Sequence, residues 1–146
     1  MIIDISGSMS AGSRIEMAKE AALNVVRTLT WSDHASIVLF DDMTIEYEPD
    51  DGSHGLAAVT PDEAELMNEF IKEEIKPSGG TNFDAAFESA FDLFATSSQT
   101  SACNRVILFM TDGQANLNYD VRRRAQTHGV RVMTYALGSG AEQAVS

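Results

Sequence analysis

A single cysteine, Cys103, is all that this 146-residue chain offers for sulfur cross-linking. An internal disulfide is excluded, and the thiol is either buried or one half of a bridge to another polypeptide. No apolar run approaches the roughly 20 residues of a membrane-spanning helix, so the segment does not insert directly into a membrane. The N-terminus has neither the basic start nor the apolar stretch of a signal peptide. Glycosylation sequons of the form Asn-x-Ser/Thr are also missing. Basic residues are scarce, 10 Lys and Arg against 22 Asp and Glu, for a net charge of −12. That balance argues against nucleic acid and anionic membrane as partners, since both reward clustered positive charge. The one basic run, Arg122 to Arg124, falls in a helical pattern where consecutive residues point in different directions.

What is present is enough apolar material, 44% of residues, to build one core. A short strand, Met1–Asp4, is followed by a helix whose start, Ser13-Arg14-Ile15-Glu16, has capping-box spacing. Ile15, Ala18, Ala22, Val25 and Leu29 form its apolar face. "ASIVLF" (35–40) reads as a buried strand and "MTIEYE" (43–48) as a half-exposed one, joined through Asp41-Asp42 as a hairpin with an antiparallel partner near an edge. Residues 50–59 read as irregular. Thr60-Pro61-Asp62-Glu63 starts a second helix, with Thr60 as N-cap, Pro61 in the first turn and Glu63 as the capping partner. Pro77-Ser78-Gly79-Gly80 breaks it. Phe83, Phe87, Ala90, Phe91 and Phe94 mark the core stripe of a third helix. "RVILFMTDG" (105–113) has the near-continuous apolar run of a central strand, and a helix over about 118–128 and a strand over 130–138 follow.

Strands alternating with helices predict an α/β fold: an open, doubly wound, Rossmann-like and mainly parallel sheet, one antiparallel edge strand, and helices on both faces. Residues 1–146 read as a single domain cut at both ends, a fragment of a larger protein. Only three residues precede Asp4, and "GSGAEQAVS" ends the chain where another helix is due. The acidic residues between Asp41 and Glu65 read as a solvated face rather than a second ion site.

In such sheets ligands bind beyond the carboxyl ends of the strands, where strand order reverses. Asp4-x-Ser6-x-Ser8 and Thr111-Asp112-Gly113 both terminate strands, and the "SGGTNFD" loop adds Thr81. Two carboxylates and three hydroxyls are hard oxygen ligands, suited to Mg²⁺, Ca²⁺ or Mn²⁺ rather than zinc or copper. A site with few protein ligands favours Mg²⁺, which keeps several waters in its octahedral shell.

"DISGSMS", "GGT" at 79–81 and "TDG" at 111–113 resemble, in order and spacing, the three parts of the metal-ion-dependent adhesion site of von Willebrand factor type A domains. The resemblance covers essentially the whole chain. It implies that Ser6, Ser8 and Thr81 coordinate a divalent cation, that Asp4 and Asp112 act directly or through water, and that the cation holds a Glu or Asp carboxylate of a partner protein. Within that family "GGTNFDAAFESAFDLF" and "SACNRVILFMTDG" are similar to the domain of the alpha-2/delta accessory subunits of voltage-gated calcium channels. That likeness implies an extracellular, membrane-attached protein docked on a membrane channel, with a bridged cysteine at the place of Cys103. The Asp-Asp pair that follows the serines in integrin beta subunits is missing, so an adjacent second cation site is unsupported.

Enzymatic readings fit less well. A haloacid-dehalogenase-like phosphatase needs a second Asp two residues after its nucleophile, where this chain has Ser6. Gly-x-Ser-x-Gly is absent, Gly79-Gly80 lacks the Lys of a P-loop, and His34, His54 and His128 read as surface or structural residues. The expectation is a non-enzymatic binding module; an intracellular interaction module of the same family is the alternative. With the site placed outside the core, Asp4→Ala is expected to spare the fold.

Overall fold

The computed structural model describes residues 1–97, 104–113 and 119–138, so Cys103 lies outside the described residues. In chain order the elements are β1 (Ile2–Asp4), a 3-10 segment (Gly7–Ser13), α1 (Arg14–Thr28), β2 (His34–Ala35), β3 (Val38–Phe40), β4 (Thr44–Glu46) and β5 (Ala57–Ala58). They continue with α2 (Pro61–Glu74), α3 (Phe83–Thr96), β6 (Arg105–Thr111), α4 (Tyr119–His128) and β7 (Val130–Ala136). Five strands form one sheet in the order β4-β3-β1-β6-β7. β1 runs parallel to β3 and β6, β7 parallel to β6, and among the described strands of this sheet only β4 is antiparallel, at the edge.

The central strands β1 and β3 are short and carry few polar side chains, because both of their faces are covered. Ile3, Ile5, Leu39 and Met110 pack with Ala18, Ala22, Met67 and Ile71 on the α1–α2 side. Ile2, Phe40, Ile107 and Phe109 pack with Phe87, Phe91 and Val121 on the α3–α4 side. Phe109 is the centre of an aromatic cluster, its ring 5.0 Å from Phe87, 5.6 Å from Phe83 and 5.7 Å from Phe40. The phenylalanine stripe read from the sequence is thus core. Arg122 and Arg123 are exposed, whereas Arg124 lies over the Phe91 ring at 4.9 Å. His128 stacks on the same ring.

Several local expectations differ from what is observed. "ASIVLF" is not one strand: its start, β2, pairs antiparallel with β5 in a separate two-stranded ribbon, while Val38–Phe40 joins the main sheet. Residues 50–59 therefore contribute β5 rather than being wholly irregular; Ala57-Ala58 has no β-branched signature to announce it. The hairpin turn spans three residues, since Phe40 pairs with Thr44 and the Asp41 N–H donates to Met43 O at 3.0 Å.

Helix starts differ from expectation too. Thr60 caps α2 as expected, its hydroxyl accepting from Glu63 N at 3.2 Å. The Glu63 carboxylate does not complete the box; it accepts from Tyr47 Oη at 2.5 Å, while Thr60 N donates to Ala58 O. Ser13 makes no side-chain cap at all. It and Gly12 sit in the left-handed region, both at φ 60°, as the 3-10 turn swings into α1. A sequence pattern of Ser-x-x-Glu fits a cap only when the Ser backbone is extended, and here the preceding loop dictates otherwise. Thr60→Ala is expected to cost about 1 kcal/mol in urea unfolding. Ser13→Gly should be neutral or stabilising by less than about 1 kcal/mol, because it relieves left-handed strain and removes no cap.

Candidate functional site

The first connection leaves β1 toward β3, and β6 lies on the opposite side of β1, so strand order reverses between β1 and β6. The carboxyl ends of these two strands carry Asp4 and Thr111. Asp4 is 1% exposed. Its Oδ1 accepts from Ser6 N at 2.8 Å and its Oδ2 from Thr111 Oγ1 at 2.6 Å. Thr111 Oγ1 in turn accepts from Gly113 N at 3.0 Å. One carboxylate thereby fixes the start of both strand-end loops. The burial of Asp4 corrects the premise that this part of the site lies outside the core.

Beyond Asp4 the side chains form a chain of oxygens. Ser6 Oγ lies 3.1 Å from Ser8 Oγ, and Ser8 Oγ donates to Asp112 Oδ1 at 2.9 Å. With the Ser8 proton given to Asp112, the Ser6 hydroxyl is the donor to Ser8. Asp112 is nearly covered as well, its side chain 4% exposed, and its Oδ2 accepts from Arg14 Nη1 at 2.7 Å. Arg14 Nη1 also donates to the Ser8 carbonyl at 3.3 Å. Four of the five residues singled out from the sequence, Asp4, Ser6, Ser8 and Asp112, therefore form one hydrogen-bonded row, which Asp4 joins through the Ser6 N–H. Thr81 is exposed on the neighbouring loop, whose Gly79 O accepts from Gly7 N at 3.1 Å.

That neighbouring loop is held by residues the sequence reading assigned elsewhere. Ser78 Oγ donates to Asp41 Oδ2 at 2.7 Å, Gly80 N to Asp42 Oδ2 at 2.8 Å, and Asn82 N to Asp41 O at 2.7 Å. Gly79 has φ 65°, and a Cβ there would meet the Asp42 and Asp41 carboxylates at 2.9 and 3.0 Å. Only glycine suits both demands. The Met43 N–H, and then the Ser78 hydroxyl, hold the Asp41 carboxyl below its ordinary range. The acidic run faces solvent as expected, yet several of its members also hold structure: exposed Asp42 and half-exposed Asp41 anchor the loop, Glu63 takes Tyr47, and Glu46 accepts from Ser89 Oγ with His54 3.6 Å away. Among the described residues no group of three or more His, Cys, Asp or Glu side chains gathers to hold a metal ion. The strand-end cluster has two carboxylates and is completed by hydroxyls.

A family model described as von Willebrand factor type A domain matches residues 1–114. The chain belongs to that family. The human voltage-dependent calcium channel subunit alpha-2/delta-2 is 28% identical to this von Willebrand factor type A domain over 141 residues, covering 94% of the chain and 12% of that subunit. Human inter-alpha-trypsin inhibitor heavy chain H3 is 24% identical over 148 residues, covering 95% of the chain and 16% of that protein. The domain thus spans a small part of the curated relatives it matches. Solved structures with the same fold include a von Willebrand factor type A protein from Catenulispora acidiphila, with TM-score 0.71, 21% identity, 91% of this chain and 30% of that one. BatB from Bacteroides thetaiotaomicron superposes with TM-score 0.70 at 19% identity, over 92% of this chain and 63% of the other.

Two outcomes follow from the site's wiring. Asp4→Ala leaves the Ser6 N–H and Thr111 hydroxyl without their acceptor and should lower stability by about 1–3 kcal/mol in urea unfolding; an unchanged midpoint would contradict the wiring. Asp41, with its folded pKa depressed, contributes stability present above its unfolded value and lost as pH falls through the folded one. The thermal midpoint of Asp41→Asn should therefore fall less steeply than wild type between about pH 5 and 3.

Proposed function

We propose that this domain is a non-enzymatic, divalent-cation-dependent protein-binding module, in which Ser6, Ser8 and Thr81 coordinate the ion through hydroxyls, Asp112 and Asp4 act directly or through water, and a partner's Glu or Asp carboxylate completes its shell. The spacing of three oxygens carries this reading. Ser6 Oγ, Ser8 Oγ and Asp112 Oδ1 follow one another at 3.1 and 2.9 Å. Adjacent ligands of an octahedral Mg²⁺ shell at about 2.0–2.1 Å stand roughly 2.9 Å apart. The donors are all hard oxygens, which supports Mg²⁺ first, with Ca²⁺ and Mn²⁺ as competitors.

Charge supports the same conclusion. Asp4 and Asp112 are both nearly buried, and Arg14 is the one cation in ion-pair range of either among the described residues. A divalent ion offsets what remains. When bound, such an ion supplies a Lewis-acidic position for an anionic group. The chain's own part is to present neutral hydroxyls rather than further carboxylates, which leaves positive charge unquenched for an acidic partner. Asp4, with both oxygens occupied by Ser6 N and Thr111 Oγ1, acts from behind the serines as their positioning charge.

The likeness to the alpha-2/delta-2 subunit supports placement within a larger extracellular, membrane-attached protein and a membrane channel as the partner class. No helix among the described residues is long and apolar enough to cross a membrane.

Calorimetric titration of Mg²⁺, Ca²⁺ and Mn²⁺ into chelator-treated protein should show saturable binding that Ser6→Ala/Ser8→Ala abolishes. A folded wild type that takes up none of the three ions, or a double variant that binds as well as wild type, would contradict the assignment.

A further inference from the structure

We propose that Arg14 is a built-in counter-cation of the site: it weakens the hold on the divalent ion and, by the same charge, strengthens the site's attraction for an acidic ligand. This rests on the metal reading above. Arg14 is the first residue of α1, where the helix dipole disfavours a positive side chain. Its location has another cause. The left-handed pair Gly12 and Ser13 turns the chain so that the guanidinium folds back over the loop, donating to the Ser8 carbonyl and to Asp112 Oδ2. Behind it the backbone closes in at Gly138, where φ is 104° and a Cβ would stand 2.8 Å from Arg14 Nε. The guanidinium is held between a site carboxylate and a strand-end turn.

The contact divides the labour of Asp112. Oδ2 faces Arg14, and Oδ1 faces Ser8 and the row of hydroxyls. The charges of Asp4, Asp112 and Arg14 leave one net negative charge at the site rather than two. A divalent ion entering there is less completely neutralised than it would be without Arg14, so it binds less tightly and retains more field for an incoming carboxylate. Asp41 and Asp42, behind the Ser78–Gly80 loop, add negative charge that is common to every variant compared below.

The two effects have opposite signs, which separates this role from a merely structural one. Arg14→Gln should bind Mg²⁺ roughly tenfold tighter by calorimetry, the scale expected for removing a unit charge a few ångströms from a divalent ion at a partly hydrated site. The Mg²⁺-loaded variant should bind acetate severalfold more weakly, read from the amide shifts of Ser6 and Gly113. Arg14→Lys keeps the charge and should stay within about twofold of wild type in both titrations; it also serves as the test should Arg14→Gln not fold. Equal or weaker Mg²⁺ affinity in Arg14→Gln beside a wild type that binds, or a tenfold change in Arg14→Lys, overturns the role of Arg14 alone. Absence of Mg²⁺ binding in every folded variant overturns the metal reading and this inference with it.

Discussion

The site hangs on one buried carboxylate. Asp4 sits at the end of the central strand, and its two oxygens bind one group from its own loop and one from the end of β6. A carboxylate is costly to bury unless its lone pairs are used, and here hydrogen bonds from Ser6 N and the Thr111 hydroxyl use them. Those same bonds set the direction in which each loop leaves the sheet. Ser6 and Ser8 then stand in line with Asp112, because both loops take their bearings from one point.

The third loop reaches the same place by a different route. The Ser78–Asn82 segment is tied to the β3–β4 turn by Asp41 and Asp42 and to the first loop by the Gly7–Gly79 and Ile5–Ser78 backbone bonds. Phe83 follows immediately, and its ring joins the Phe40–Phe109 cluster. Thr81 is therefore carried on a short loop fixed at both ends, one end by carboxylates and the other by the core. Rigid anchorage of exposed hydroxyls is what a site needs if it is to hold an ion with few charged ligands. The cost is two buried negative charges beside one guanidinium, an imbalance that favours a cation at the strand ends.

Much of this was legible in the sequence. The order of apolar runs and helical stripes foretold a mainly parallel sheet with β4 antiparallel at its edge, since buried parallel strands and a short hairpin leave distinct patterns. The motifs at strand ends pointed to Asp4, Ser6, Ser8 and Asp112, because topology alone brings such ends together. What escaped depended on side chains choosing partners far away in sequence. Ser13 has the spacing of a cap, yet the loop before it forces a left-handed backbone. Asp41 and Asp42 are surface charges, and nothing local reveals that Ser78 and Gly80 will come to them. Arg14 did leave a trace, a basic residue in the first turn of a helix, against the dipole, and that misplacement was the available signal. Thr111 was visible as part of a motif, but its role as the ligand of Asp4 required the register of β1 against β6.

The most direct test of the central claim is the anomalous scattering of Mn²⁺ diffused into crystals of the domain. The account predicts one strong peak within about 2.5 Å of Ser6 Oγ and Ser8 Oγ, with Asp112 Oδ1 on its edge. A peak at Asp41 and Asp42 instead, or none at the strand ends of an otherwise unchanged fold, would contradict it.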